Sequence, residues 1–448
     1  ADCLGLFAEL VADDYCFVAG EEQELKLNLI NRSDKEFKLV TASINSKETI
    51  ILNEQLGKNE VVSTPLKFFG ESDLSGPYWL RQAFGDRFVV ADKSDLGKAE
   101  NDPTVSAFCV FQYGNDFFHL EVPATYKWRD PSYGEQRREF ICVPPFTVNP
   151  DKNLLLLKPG GETKVRLRIH AFKENVNSKL YLSAPSGWVL SESEVSFSTT
   201  NKHEEIWVEV GIKVAENAES GSLMINNELG NMFLSHTEIE YDHIPTQIIF
   251  RGTQLKCVHL DARIQNGKVA YIKGVEDAVP AAIRQLGFEV EEFKVADLAN
   301  LNLTDYQSVV LGIRIFNVHP ELRNFNQKLT DYVKGGGNLV MQYNTASRSG
   351  SNEDFVTGGF QLSRDRVTEE DAEVTFLNKS HPIFNYPNQI TEKDFEGWVQ
   401  ERGLYFAGKW DDSFTPLLSW NDTGKDPVKG GLIVTIGMNN GNKFEKNN

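Results

Sequence analysis

Lys268-Val269-Ala270-Tyr271-Ile272, then after a loop Val279-Pro280-Ala281-Ala282-Ile283-Arg284-Gln285-Leu286-Gly287, then Glu289 to Phe293, is the stretch that decides the architecture of this chain. The first run is apolar after its lysine, the pattern of a strand covered on both faces. The second has Pro in its first turn and Gly at its end, the punctuation of a helix. Ser308-Val309-Val310-Leu311-Gly312 repeats the buried-strand pattern. Glu321 to Lys334 reads as a helix closing on Gly335-Gly336-Gly337, and Leu339-Val340-Met341-Gln342-Tyr343 as a fourth strand. Strand and helix alternate across short loops, which predicts a parallel α/β sheet of flavodoxin-like type over residues 255–448.

Upstream the texture is different. Leu25-Lys26-Leu27-Asn28-Leu29 alternates with period two, Asn31-Arg32-Ser33-Asp34 is a turn, and Phe37-Lys38-Leu39-Val40 resumes a strand. Ala107 to Phe111 and Phe117 to Val122 bracket a hairpin turn, Gln112-Tyr113-Gly114-Asn115-Asp116. Short strands at regular spacing predict a β-sandwich of immunoglobulin-like type over residues 1–145, bounded by the Pro-, Gly- and charge-rich segment Lys127 to Pro145. Thr163-Lys164-Val165-Arg166-Leu167-Arg168-Ile169 and Glu205-Ile206-Trp207-Val208-Glu209-Val210 alternate again, which predicts a second, smaller sandwich over residues 146–254.

Composition narrows the function. With 448 residues the prior is about three domains of ~150 residues. No run approaches ~18 uninterrupted apolar residues, so no membrane-spanning helix is expected. The net charge is −18 and no basic patch stands out, which makes nucleic acid a poor partner. Five cysteines at positions 3, 16, 109, 142 and 257 form no CxxC, so neither a zinc ribbon nor a disulfide scaffold is expected. Cys109 and Cys142 are in reach of pairing across strands, buried free thiols being the favoured reading. The chain begins at Ala1 with no Met and no apolar signal core, as a processed or excised piece does.

In a parallel sheet, ligands bind outside the carboxyl ends of the strands. Glu276 and Asp277 follow the first strand, Arg314 the third, and Asn344 the fourth. Two carboxylates, an arginine and an amide facing one crevice suit a polar ligand such as a sugar. The structural alternative is that Asp277 caps the following helix and Arg314 pairs with it. Arg364 and Arg366 sit in a charge run whose plainest reading is a solvated loop. Trp398, Glu401 and Arg402 mix an aromatic ring with bidentate-capable groups, a common means of holding a pyranose, and core burial of the Trp is the alternative. The irregular segments carrying these five residues are expected to fold over the same crevice. The eight histidines are scattered and none has a partner at i+4, so no metal site is expected in this chain. His259-Leu260-Asp261 lies in an alternating strand, where a structural role is favoured. No GxSxG or P-loop occurs.

The residues also carry a resemblance. Ser363 to Val374, His381-Pro382-Ile383-Phe384-Asn385, Asp394 to Phe406, Tyr306 to Arg314, Gly336 to Asn344 and Asp242-His243-Ile244-Pro245 resemble motifs that recur in the same order along the C-terminal region of large bacterial PIG-L-type (LmbE-like) deacetylases. That resemblance implies a zinc N-deacetylase domain upstream in the parent protein, with a His-x-Asp-Asp motif that this chain lacks. Zinc is then expected only in that domain, with no cofactor in this chain. The last domain resembles a class I glutamine amidotransferase, whose nucleophilic Cys would stand on the turn that here holds Asn344. No cysteine follows Cys257, so that chemistry is missing. The chain departs from the family's pattern at about Ile436.

The expected function is therefore an accessory region of an extracytoplasmic N-acetyl-sugar deacetylase, itself without catalysis, orienting a glycan or holding the catalytic domain. The partners implied are that deacetylase domain and a glycan, and the periplasmic or cell-surface location comes from the resemblance. The rivals are a free-standing glycan-binding or structural protein of the cell envelope and, disfavoured by the missing Cys, an amidotransferase.

Overall fold

The structure is a computed structural model describing residues 2–45, 49–70, 73–83, 85, 87–264, 266–346, 359–398 and 402–435. The chain divides into two compact units, one of residues 1–155 and 159–258, the other of 156–158 and 259–448. Both sandwiches belong to the first unit. No helix among the described residues is long and apolar enough to cross a membrane.

The first sandwich is built from β1 (Leu6–Ala12), β2 (Cys16–Val18), β3 (Glu22–Asn31), β4 (Phe37–Ile44), β5 (Thr49–Leu56), β6 (Val61–Phe69), β7 (Ser106–Tyr113), β8 (Asp116–Asp130), β9 (Gly134–Glu139) and β10 (Ile141–Val143). Its main strand order is β5-β4-β7-β8-β1-β3-β6, with β9 on β8. Leu25, Leu27 and Leu29 of β3 are fully buried while Lys26 is exposed, so the period-two pattern is the burial pattern. β8 is long enough to serve two neighbourhoods. Residues up to Pro123 pair with β7, and from Ala124 onward the strand pairs with β1 and β9. The segment 127–145, expected to be a boundary, is therefore largely strand, in the β8–β9 ribbon and β10. Cys109 and Cys142 are buried as thiols.

The second sandwich comprises β11 (Phe146–Pro150), β12 (Leu154–Leu157), β13 (Glu162–Ala171), β14 (Asn177–Ser183), β15 (Trp188–Leu190), β16 (Glu194–Ser198), β17 (Glu205–Val214), β18 (Gly221–Asn226), β19 (Leu234–Tyr241), β20 (Ile244–Gly252) and β21 (Gln254–His259). One sheet runs β11-β13-β17-β15 and the other β12-β21-β18-β14-β16, while β19 and β20 form a hairpin. Val165, Leu167 and Ile169 of β13 are buried, with Val165 opposite Val210. β21 completes the second sheet, so this strand runs a few residues past the expected end at 254. Cys16, Val18, Ile141, Val143, Phe172 and Ile248 form one buried cluster that ties the two sandwiches together.

The second unit contains β22 (Lys268–Ile272), α1 (Val279–Gln285), β23 (Glu289–Phe293), β24 (Ser308–Leu311), α2 (Ile315–Val318), α3 (Asn326–Lys334) and β25 (Asn338–Met341). All pairings in the sheet β23-β22-β24-β25 are parallel, as the alternation of strand and helix predicts. The expected helix over Glu321 to Lys334 is split. Pro320–Phe325 winds as a 3-10 turn, with Leu322 N–H donating to His319 C=O at 3.0 Å, and only then does α3 begin. The α/β alternation stops at β25, short of the expected extent to the end of the chain. Beyond it the described residues form small antiparallel pieces, among them β26 (Phe360–Leu362), β27 (Arg366–Val367), β28 (Thr375–Phe376), β29 (Gly403–Leu404), β30 (Ala407–Trp410), β31 (Phe414–Trp420) and β32 (Val428–Thr435). Their short apolar runs are too brief for a helix face and close instead on their own cluster around Phe384, Phe406, Leu417 and Trp420. The departure expected from Ile436 lies outside the described residues.

Candidate functional site

The carboxyl ends of the parallel strands are held together by backbone. Val275 N–H donates to Ile313 C=O at 3.0 Å, and Arg314 N–H to Tyr343 C=O at 2.7 Å. Gly274 permits this approach, since a Cβ there would collide with the Ile313 carbonyl oxygen. Gly274→Ala is therefore expected to lower the stability of the second unit by about 1–3 kcal/mol, as overpacking does. Urea denaturation measures it, and an unchanged midpoint would contradict the tight crossing.

Under this edge lies a polar triad. The buried Tyr271 hydroxyl donates to Asp277 Oδ2 at 2.6 Å and accepts from Gln342 Nε2 at 2.8 Å. Burial, and then the Asp277 carboxylate, pushes the phenol well above its ordinary range. Asp277 Oδ1 accepts from Val279 N–H at 2.8 Å, so this carboxylate does cap α1. Its other expected partner is elsewhere. Arg314 is exposed, stands in the left-handed region at φ +56°, and makes no ion pair with Asp277 among the described residues. Glu276, next to Asp277 in sequence, is exposed. Asn344 is only 2% exposed. Its Oδ1 accepts from Phe316 N–H at 3.0 Å and its Nδ2 donates to Gln342 C=O at 2.9 Å, which leaves the amide facing inward. Asn344 thus fastens the turn and does not offer its side chain to a ligand.

Of the later residues, Arg364 and Arg366 are exposed on the segment around β27. Tyr405 N–H donates to Asp365 C=O at 3.0 Å, and the Tyr405 ring lies 6.0 Å from that of Tyr343. This pair brings the Arg364–Arg366 segment to the strand ends. Trp398 and Arg402 sit apart from them. Trp398 is 47% exposed and stacks on Phe395 at 5.9 Å. Arg402 is 9% exposed and donates from Nε to Ala372 C=O at 3.0 Å and from Nη1 to Phe395 C=O at 2.7 Å. Among the described residues no hydrogen bond, ion pair or ring contact joins Trp398 or Arg402 to Glu276, Asp277, Arg314 or Asn344. Glu401 lies outside the described residues.

A second polar cluster, between the sandwiches, was not singled out from sequence. Asp14 and Cys16 at the start of β2 meet His203, from the turn before β17, at 2.8 Å between His203 Nε2 and Asp14 Oδ2. Lys202 pairs with the same oxygen, and its Nζ donates to Cys16 C=O at 2.9 Å. Burial pushes the Asp14 carboxyl up, but the hydrogen bonds from His203 and Lys202 outweigh it and hold it at about 2. Burial pushes the Cys16 thiol up to about 12. Behind His203 stand His170 and His236, with ring centroids 5.3 Å apart. Burial lowers both, His236 to about 4, with neighbouring His170 and Arg168 adding to the fall. Only the spacing Asp14-x-Cys16 was visible in the sequence.

No family model matches the chain, and no curated protein does. Among solved structures it is similar to native alpha-2-macroglobulin of Escherichia coli, at 8% identity over 57% of this chain and 17% of that one, with a TM-score of 0.19. A protein of unknown function from Porphyromonas gingivalis is similar at 9% identity, covering 56% of this chain and 99% of that one, with a TM-score of 0.15. The type II cohesin dyad of a scaffoldin from Acetivibrio cellulolyticus is similar at 11% identity over 49% of this chain and 88% of that one, with a TM-score of 0.13. The chain thus spans about a sixth of the macroglobulin's length.

Proposed function

We propose that the chain is a non-catalytic accessory region of a PIG-L-type N-acetyl-sugar deacetylase, with an amidotransferase-like sheet that presents a polar glycan at its carboxyl edge. The observation that carries this reading is the exposed Arg314, fixed by its backbone bond to Tyr343 and unpaired with Asp277, beside the Tyr343–Tyr405 rings. A guanidinium supplies donors for hydroxyl and carboxylate oxygens, and neighbouring tyrosine rings supply flat apolar surface for a sugar ring. The reading has no nucleophile at that edge, because Asn344 stands where an amidotransferase would hold its Cys and its amide is engaged with backbone. The zinc hydrolase chemistry belongs to the expected upstream domain.

Titration calorimetry with N-acetylglucosamine oligomers tests this. Arg314→Ala is expected to weaken binding by about tenfold, the loss of one charge-assisted hydrogen bond or two. Its melting should be that of the parent within about 0.5 kcal/mol, as for other surface changes. Failure of the parent chain to bind these glycans, or release of acetate or ammonia that survives purification, would overturn the reading.

A further inference from the structure

The cluster between the sandwiches contains none of the residues proposed to present the glycan, and it gathers a carboxylate, a thiol and an imidazole around one point. His170 Nδ1 lies 3.0 Å from Glu205 Oε1. A carboxylate only accepts, so this nitrogen carries the proton of His170, and its Nε2 turns a lone pair outward. That Nε2 faces His203 Nδ1 at 3.4 Å, so Nδ1 of His203 must be the donor. The remaining nitrogen, His203 Nε2, lies 2.8 Å from Asp14 Oδ2: it donates there when His203 carries both protons, and once that proton leaves its lone pair is open to a cation. Cys16 Sγ lies 3.9 Å from the same Asp14 oxygen, and one donor atom from each of the three residues falls within 4.8 Å of the other two.

The geometry points to a binding site for one divalent cation of the zinc class, held by Asp14 Oδ2, Cys16 Sγ and His203 Nε2. An oxygen, a sulfur and an imidazole nitrogen suit borderline-soft Zn²⁺, with a fourth position for water. Tetrahedral bonds of about 2.0–2.3 Å set the donors about 3.3–3.6 Å apart, so Asp14 and His203 must part from 2.8 Å and Cys16 Sγ must close in from 3.9 Å. The relay behind the site is already built: His203 is backed by His170, and His170 by Glu205, the outer-shell carboxylate–histidine pattern that orients a ligand imidazole. Lys202, whose ammonium now neutralises Asp14, is the competitor. Its side chain is 30% exposed, and turning to solvent costs it the bonds to Asp14 and to Cys16 C=O. Arg138, the other nearby cation, lies over the Tyr15 ring and is paired with Glu238 at 2.6 Å. On binding, the Cys16 S–H bond breaks, the thiolate bonds the metal and the proton leaves to solvent, as does any second proton on His203. Access is open at Asp14 and His203, whose side chains are 27% and 33% exposed.

The test is titration of the whole, metal-stripped chain with Co²⁺, in a Cys3→Ser background because Cys3 is an exposed thiol. One equivalent is expected to bind with a thiolate-to-cobalt charge-transfer band, and Zn²⁺ should displace it. Cys16→Ser should abolish the band, and His203→Asn should weaken binding at least about tenfold. Lys202→Met should tighten it several-fold, a gain that misfolding cannot imitate. Absence of a stoichiometric equivalent, or binding that is the same in Cys16→Ser, His203→Asn and Lys202→Met, would overturn the assignment.

Discussion

Acidification from about pH 7 to about pH 4 is expected to remove about 3 kcal/mol of stability from the two-sandwich unit through His236 alone. The ring is held neutral because burial, then the neighbouring His170 and Arg168, depresses it from 6.5 to about 4, against the opposing pull of Glu238 and Glu205. Its Nδ1 lies 2.6 Å from the hydroxyl of the fully buried Thr147. Linkage gives the sign. Between the two values the unfolded chain binds a proton that the folded chain refuses, so the contribution is complete above the unfolded value and disappears as pH falls through the folded one. Burial lowers His170 as well, and it acts in the same direction. Urea unfolding of the parent and His236→Gln at several pH values measures this, and the difference between the two curves cancels the other titrating groups. The expected result is a gap that narrows by about 3 kcal/mol across the window. Parallel curves would show that the ring takes up its proton without cost and that the junction is wetter than its packing indicates.

The second large effect belongs to Arg402. Arg402→Leu is expected to cost about 2–4 kcal/mol, because two backbone carbonyls lose their donors in a site closed to water. Those carbonyls are Ala372 and Phe395, and the guanidinium also lies 5.9 Å from the centre of the Trp398 ring. Denaturant unfolding of the second unit, followed by tryptophan fluorescence, measures the loss. Glycan affinity of the folded variant should be unchanged. The opposite pattern, full stability with weakened glycan binding, would restore Arg402 to the ligand site where its sequence context placed it.

These two residues mark where local reading stopped. The alternation in β3 and β13 was legible because each strand buries every second side chain whatever its neighbours are. The parallel sheet was legible because Lys268 to Ile272 and Ser308 to Leu311 are apolar on both faces, and only helix-covered strands need that. The cap by Asp277 was legible as an alternative, since a capping carboxylate sits beside the helix that it serves.

Burial of single polar groups was not legible. Arg402 and Trp398 are four positions apart, yet one is enclosed and the other half open, because the enclosure of Arg402 depends on Ala372, which arrives from another segment. Asn344 stood on the expected turn, but whether its amide faces a ligand or the Phe316 backbone is decided by α2 packing above it. The switch of β8 between neighbours at Pro123 and Ala124 depends on where β1 lies. Asp14 and His203 meet across 189 positions, and nothing periodic in either segment refers to the other. Sequence alone determined the alternating strands of the sandwiches and the parallel strands up to β25, because short-range patterns of burial dictate both. Only the tertiary structure decided which polar groups meet, because that rests on the docking of whole sandwiches through Cys16, Val18, Ile141, Phe172 and their neighbours, a long-range packing of apolar surface with no local signature.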